Sequence, residues 1–128
     1  MIIVDSTVLI DYLRSVDAGL LATMQKHGPA ICGVMRAEVV AGARGPKHRR
    51  DLIQFLDGFQ QISLPETLWD QIGDNAAMLR AGGVTVPFTD VIIATLAIAL
   101  DVEVWARDRH FKDMQKVLLA LKLFQEPP

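Results

Sequence analysis

Short apolar runs alternate with longer amphipathic stretches along the chain, and each short run is bounded by a polar or turn-forming residue. Ile2-Ile3-Val4 ends on Asp5, Ala30-Ile31-Cys32 follows Gly28-Pro29, and Gln61-Ile62-Ser63-Leu64 is closed by Pro65. Further on, Glu103-Val104-Trp105-Ala106 precedes Arg107-Asp108, and Leu121-Lys122-Leu123-Phe124 lies near the C-terminal end. Runs this short between turn signals predict strands, the first over about 2–5. The stretches between them carry helical periodicity and predict helices over about 7–15, 17–27, 34–43, 47–58, 66–81, 88–100 and 108–119, with Gly82-Gly83 stopping the fifth. Strands separated by helices pair in parallel through right-handed crossovers. The expected fold class is therefore α/β, a three-layer α/β/α sandwich around a mostly parallel central sheet. No repeat, low-complexity segment or long linker divides the 128 residues, and a 51% hydrophobic content supplies one core, so residues 1–128 are expected to form one domain.

In such a sheet the carboxyl ends of strands and the amino ends of helices share one edge, where ligands collect. Asp5 and Asp108 follow predicted strands, and Asp90 opens a helix after Val86-Pro87, so all three belong to that edge. Glu38 comes from a helix whose neighbours Val34, Met35, Val39 and Ala41 are apolar, which directs its side chain toward packed surface. Taken singly, each aspartate has an ordinary role as a helix cap or dipole partner, and an isolated helical glutamate is usually solvated. Their joint placement is what points to chemistry.

Two like charges about 4 Å apart repel by roughly 4 kcal/mol at an effective dielectric near 20, so clustered carboxylates need protons or a cation. Mg²⁺ and Mn²⁺ suit carboxylate oxygen. Cys32 stands alone, and His27, His48 and His110 have no zinc-site spacing. Such a centre suits phosphodiester hydrolysis.

Net charge of −2 does not by itself announce a nucleic-acid binder, but setting aside four carboxylates as ligands turns the balance to +2. Two basic clusters then matter. One is Arg44 with Lys47-His48-Arg49-Arg50, which also reads as a solvated helix start; the other is Arg107, Arg109, His110 and Lys112 around Asp108. Arg44, Arg49, Arg50, Arg107 and Arg109 are the candidate phosphate contacts. Aromatic residues, at 6%, are too few for base-stacking platforms. The apolar run 91–100 is too short to span a bilayer, Met1 to Asp5 does not read as a secretory signal, and one cysteine suits a reducing cytoplasm.

Four segments together resemble the PIN-domain family, in particular the VapC-type ribonuclease toxins. Val4-Asp5-Ser6-Thr7-Val8-Leu9-Ile10-Asp11-Tyr12-Leu13 is similar to its opening motif and Ala37-Glu38-Val39-Val40-Ala41-Gly42 to its second. Val86-Pro87-Phe88-Thr89-Asp90-Val91-Ile92-Ile93-Ala94 is similar to the third, and Trp105-Ala106-Arg107-Asp108-Arg109-His110-Phe111 to the fourth. Each motif is loose alone, while four in order along nearly the whole chain are fairly specific. The resemblance implies a Mg²⁺-dependent endoribonuclease, with Mn²⁺ as substitute, that cuts structured RNA such as transfer or ribosomal RNA. It places Asp5, Glu38, Asp90 and Asp108 as metal acids. It further implies a homodimer restrained by a small VapB-type antitoxin whose tail lies in the acidic groove.

One position departs from the family. Two residues before the fourth acid the family usually has Thr or Ser, and here Ala106 stands there. Loss of one supporting hydrogen bond weakens a metal site by about 10–100-fold, and Ser6 or Thr7 could supply a hydroxyl in its place. A second reading follows: a weakened PIN domain acting mainly as an antitoxin- and RNA-binding module. A phosphatase of the haloacid dehalogenase type would need a second acid two residues after the first, where this chain has Thr7.

Overall fold

The structure, a computed structural model, describes residues 1–127. Strand β1 (Ile2–Val4) is buried at every residue, because it lies at the centre of a parallel sheet covered on both faces. The sheet has five strands in the order β3-β2-β1-β4-β5, with β2 (Pro29–Cys32), β3 (Gln60–Ile62), β4 (Glu103–Trp105) and β5 (Lys122–Leu123). All four pairings are parallel, and Ile3 sits opposite Ala30 on one side and Val104 on the other. The first two crossovers move outward from β1 in one direction, and the chain then returns to β4 on the other side. That reversal makes the β1–β4 boundary the switch point at which such sheets open a ligand crevice.

Helices α1 (Ser6–Ser15), α2 (Ala18–Lys26), α3 (Gly33–Ala41) and α4 (Pro46–Asp57) belong to the outward crossovers, with α1 packed on α3 and α3 on α4. Helices α5 (Trp69–Ala81), α6 (Phe88–Leu100) and α7 (His110–Gln115) belong to the return, with α5 packed on α6 and α6 on α7. Right-handed crossovers running in opposite directions deliver the two sets to opposite faces, which gives the expected three layers. Helix α6 is the core helix. Residues 90–97 are all buried, and each large aliphatic side chain among them contributes about 1.5–3 kcal/mol of burial. Its one buried hydroxyl is satisfied: Thr95 Oγ1 donates to the Val91 carbonyl at 2.7 Å and accepts from Asn75 Nδ2 at 2.9 Å. Among the described residues no helix is long and apolar enough to cross a membrane.

Some boundaries differ from the sequence expectation. The third strand is Gln60–Ile62 rather than 61–64, since polar Gln60 and Gln61 pair along the open edge beside β2 while Ser63 and Leu64 leave the sheet. The helix expected over 66–81 begins as a 3₁₀ turn at Glu66–Leu68. The helix expected over 108–119 covers only His110–Gln115, because the Asp108 carboxylate caps the following turn, and the chain turns after Lys116 to bury Leu118 and Leu121.

Candidate metal centre

Asp5 is the residue on which β1 stops, and its backbone N–H still joins the sheet by donating to the Trp105 carbonyl at 2.8 Å. Its side chain then caps α1. Oδ2 accepts from the Thr7 backbone N–H at 3.1 Å and from Thr7 Oγ1 at 2.6 Å. Thr7 Oγ1 also accepts from the Arg107 backbone N–H at 3.0 Å, so one hydroxyl joins the ends of adjacent strands β1 and β4. The residue is 1% exposed, and its Oδ1 is the one buried side-chain polar atom among the described residues with no hydrogen-bond partner.

Asp90 lies in the first turn of α6, where the buried run of the helix begins, and is 6% exposed, so its carboxylate is held with little water. Asp90 Oδ2 is 2.8 Å from His110 Nδ1. Asp108 follows β4, with Oδ1 accepting from the His110 backbone N–H at 3.0 Å and Oδ2 lying 3.5 Å from His110 Nδ1. Donor atoms of Asp90, Asp108 and His110 all fall within 4.8 Å of one another. Glu38 approaches from α3: Ser6 Oγ donates to its Oε1 at 3.2 Å. The residue is exposed at the rim, contrary to the expectation of a side chain directed into packed surface, because only Met35 and Val39 of α3 are buried.

The four acids also meet electrostatically. Burial raises the Asp5 carboxyl above its ordinary value against the lowering effect of the Thr7 bonds, and Asp108 adds to the rise. Although the residue as a whole is exposed, its carboxylate is partly desolvated beside Ser6, and this, with Asp5 and Asp108, raises Glu38 while the Ser6 hydrogen bond works the other way. Asp90 is pushed up to about 6, chiefly by burial and further by Asp5 and Asp108, against the hydrogen bond from His110. In each case burial leads and neighbouring carboxylates add to it, and a divalent cation would relieve both costs without protonation. Asp5 Oδ1 is the local test of fit. A buried carboxylate oxygen without a donor costs free energy unless something electropositive is supplied to it. The donor set, carboxylate oxygen with one imidazole and no thiolate in contact, matches Mg²⁺ or Mn²⁺ rather than a structural zinc.

The basic residues divide. Arg44 lines a groove with Ile10, Leu13, Arg14, Glu38 and His48 that leads to the acidic edge. Arg49 and Arg50 are exposed on the first turns of α4 beside it, with no ion pair among the described residues. Arg109 is largely exposed and 3.5 Å from Asp113. Arg107, expected to contact phosphate, instead has its guanidinium paired with Glu126 at 2.7 Å and 3.1 Å and with Asp11 at 3.3 Å. Glu126 also accepts from Trp105 Nε1 at 2.7 Å, so Arg107 ties the end of the chain to β4 and α1. His110 is the residue the sequence reading left outside the acidic set. Its position two residues after Asp108, at the start of a helix, was the available signal, because an Asx-type turn brings that residue back over the carboxylate.

The PIN domain family profile matches residues 2–117. Ribonuclease VapC10 of Mycobacterium tuberculosis is 34% identical over 106 residues, covering 80% of this chain and 79% of the relative. Among solved structures, VapBC2 from Rickettsia felis bound to a DNA fragment from its promoter matches with a TM-score of 0.82 at 16% identity, covering 97% and 98% of the two chains. VapBC-1 from nontypeable Haemophilus influenzae gives 0.79 at 17% identity with 97% of each chain covered, and FitAcB from Neisseria gonorrhoeae gives 0.75 at 18% with 98% and 97% covered. At these identities the structural likeness speaks for the fold.

Proposed function

The chain belongs to the PIN-domain family, and from that premise we propose that it is a metal-dependent endoribonuclease, the toxin of a toxin–antitoxin pair, hydrolysing phosphodiester bonds in structured RNA such as transfer or ribosomal RNA. The observation that carries the reading is the unpartnered, buried Oδ1 of Asp5 at an edge where the charges of Asp5 and Asp108 raise the proton affinity of both Glu38 and Asp90. Ribonuclease VapC10, matched over most of its length, supports RNA as the substrate.

Asp5, Glu38, Asp90 and Asp108 would hold Mg²⁺, with Mn²⁺ as an alternative. When bound, such an ion supplies positive charge to a phosphodiester and lowers the pKa of water. The rest is the work of this chain. Thr7 fixes the Asp5 carboxylate and the β4 end in one arrangement, Ser6 orients Glu38, and the Asp108 turn sets His110 against Asp90. Arg44 lines the groove that runs to Glu38, and Arg49 and Arg50 are exposed on the adjoining turns of α4; on this reading all three bind the RNA backbone, with Arg109 a further exposed cation beside Asp108. Arg107 is left out of that surface because its guanidinium is already paired.

The partner of this reading is a small VapB-type antitoxin, supported by the fold shared with VapBC complexes, and the proposed working form is a homodimer. Cleavage of a structured RNA by the purified protein in the presence and absence of chelator tests the function. Cleavage that stops on chelation and returns with Mg²⁺ or Mn²⁺ is expected, and chelator-insensitive cleavage refutes the centre.

A further inference from the structure

His110 stands where no carboxylate mechanism requires an imidazole. Its Nδ1 is 2.8 Å from Asp90 Oδ2 and 3.5 Å from Asp108 Oδ2, and the three donor atoms are close enough to one another to share a single ion. The ring has little freedom to leave. The backbone N–H of His110 is bound by Asp108 Oδ1 at 3.0 Å, and the next residue, Phe111, is 1% exposed and anchors the start of α7 in the core. The Asp90 side chain is 8% exposed, against 37% for the His110 side chain, so the imidazole lies on the solvent side of a buried carboxylate. A second observation points to a ligand at the same edge: Asp5, 1% exposed and electrostatically coupled to both Asp90 and Asp108, keeps an oxygen without a donor.

We propose that His110 is a direct metal ligand beside Asp90 and Asp108, making this a mixed carboxylate–imidazole centre that selects Mn²⁺ over Mg²⁺. The proposal rests on the metal-dependent reading above and deepens it. Imidazole nitrogen is a good donor for first-row transition ions, whereas Mg²⁺ favours carboxylate and water oxygen and sheds its waters reluctantly. An all-carboxylate site would leave the choice between the two ions to their supply. A nitrogen donor within the cluster adds discrimination that carboxylates alone lack. The competing role for His110 is purely positional, an N–H that orients Asp90, and the two roles predict different effects on the two ions.

The test is pulsed electron paramagnetic resonance of the full chain loaded with one equivalent of Mn²⁺, alongside Mn²⁺ and Mg²⁺ titrations. The wild-type protein is expected to show nitrogen modulation from a coordinated imidazole. His110→Ala should lose that modulation and bind Mn²⁺ about 10–100-fold more weakly, while Mg²⁺ affinity changes by less than about threefold. His110→Gln, which keeps a side-chain donor for Asp90, guards against misfolding. It should melt like wild type yet lack the nitrogen signal. Bound Mn²⁺ without nitrogen modulation overturns the ligand assignment and leaves the nuclease reading standing. Persistence of the modulation in His110→Ala overturns it as well, by placing the nitrogen on another histidine, and equal losses for both ions would make His110 a positioning residue. Failure of wild type to bind either ion overturns both readings.

Discussion

Thr7 Oγ1 donates to Asp5 Oδ2 at 2.6 Å while accepting from the Arg107 backbone N–H at 3.0 Å, so a single side chain fixes the first acid to the strand that leads to the fourth. Thr7→Val keeps the β-branched shape and removes both bonds. It is expected to cost about 1–3 kcal/mol of stability and to weaken metal binding by about 10–100-fold, read by thermal melting and by titration. Thr7→Ser should restore most of both. Wild-type metal affinity in Thr7→Val would show that the hydroxyl is not part of the site's support.

Asp5→Asn separates chemistry from folding. Asparagine is as good an N-cap as aspartate, and it removes a buried charge that the metal-free protein leaves uncompensated at Oδ1. RNA cleavage should therefore vanish while the melting temperature of the metal-free protein stays level or rises. Unchanged cleavage would eliminate the proposed centre, and collapse of the fold would show that Asp5 is chiefly structural.

The Asp90 carboxyl, pushed up to about 6 by burial and by its acidic neighbours, gives the site a defined pH dependence. Between the ordinary 3.8 and about 6 the folded protein holds a proton that the unfolded chain has released. The contribution to stability is thus fully present at low pH and declines as pH rises through that window. Metal binding needs the carboxylate, so affinity for the ion moves the opposite way and increases steeply from about pH 5 to about pH 7. Asp90→Asn should stabilise the metal-free protein above that range and flatten the dependence. A metal affinity independent of pH across the same range would contradict it.

Much of this was written locally in the chain. Ile2-Ile3-Val4 before Asp5, and the apolar stretch after Asp90 broken only by Thr95, announce a central strand and a core helix because burial on all sides leaves few polar positions. The third strand was harder. Gln60 and Gln61 lie at an open edge, where pairing with β2 rather than burial decides the strand, so an apolar criterion displaced it toward Leu64. The pairing of Arg107 was hidden for a different reason: its partners Asp11 and Glu126 come from distant parts of the chain, and no local pattern distinguishes a paired arginine from a free one. His110 became visible only when the Asp108 turn replaced the expected first turn of helix.

Arg49→Glu and Arg50→Glu are expected to weaken RNA binding broadly across sequences, and each charge lost from a phosphate contact should reduce the salt slope by about 0.7–0.9. Arg107→Gln should behave differently. It breaks a network whose members are all partly exposed, so a stability loss of about 1 kcal/mol or less is expected, seen as a lower melting temperature with the salt slope retained. Binding titrations at several salt concentrations distinguish the two classes. A salt slope lost in Arg107→Gln and kept in the α4 variants would reverse the assignment of the RNA surface.

Ala106→Thr tests whether the departure from the family pattern limits turnover. Ala106 borders a cavity of about 160 Å³ lined also by Asp108, Phe111, Lys112 and Phe124, so a threonine side chain can be accommodated without displacing the core. A hydroxyl introduced there would lie one residue before Arg107, whose N–H is already bound by Thr7, and two before Asp108, whose Oδ1 already accepts from His110. The supports that a hydroxyl at 106 would provide are thus largely supplied by Thr7 and by the Asp108 turn. Restoring it should raise metal affinity and cleavage by less than about tenfold, below the 10–100-fold that an essential supporting bond commands. A larger gain would show that the natural protein is an impaired nuclease and would favour a role as an antitoxin- and RNA-binding module. That outcome should be paired with the Thr7→Val series, because a residue that truly replaces the missing hydroxyl must become dispensable once threonine stands at 106.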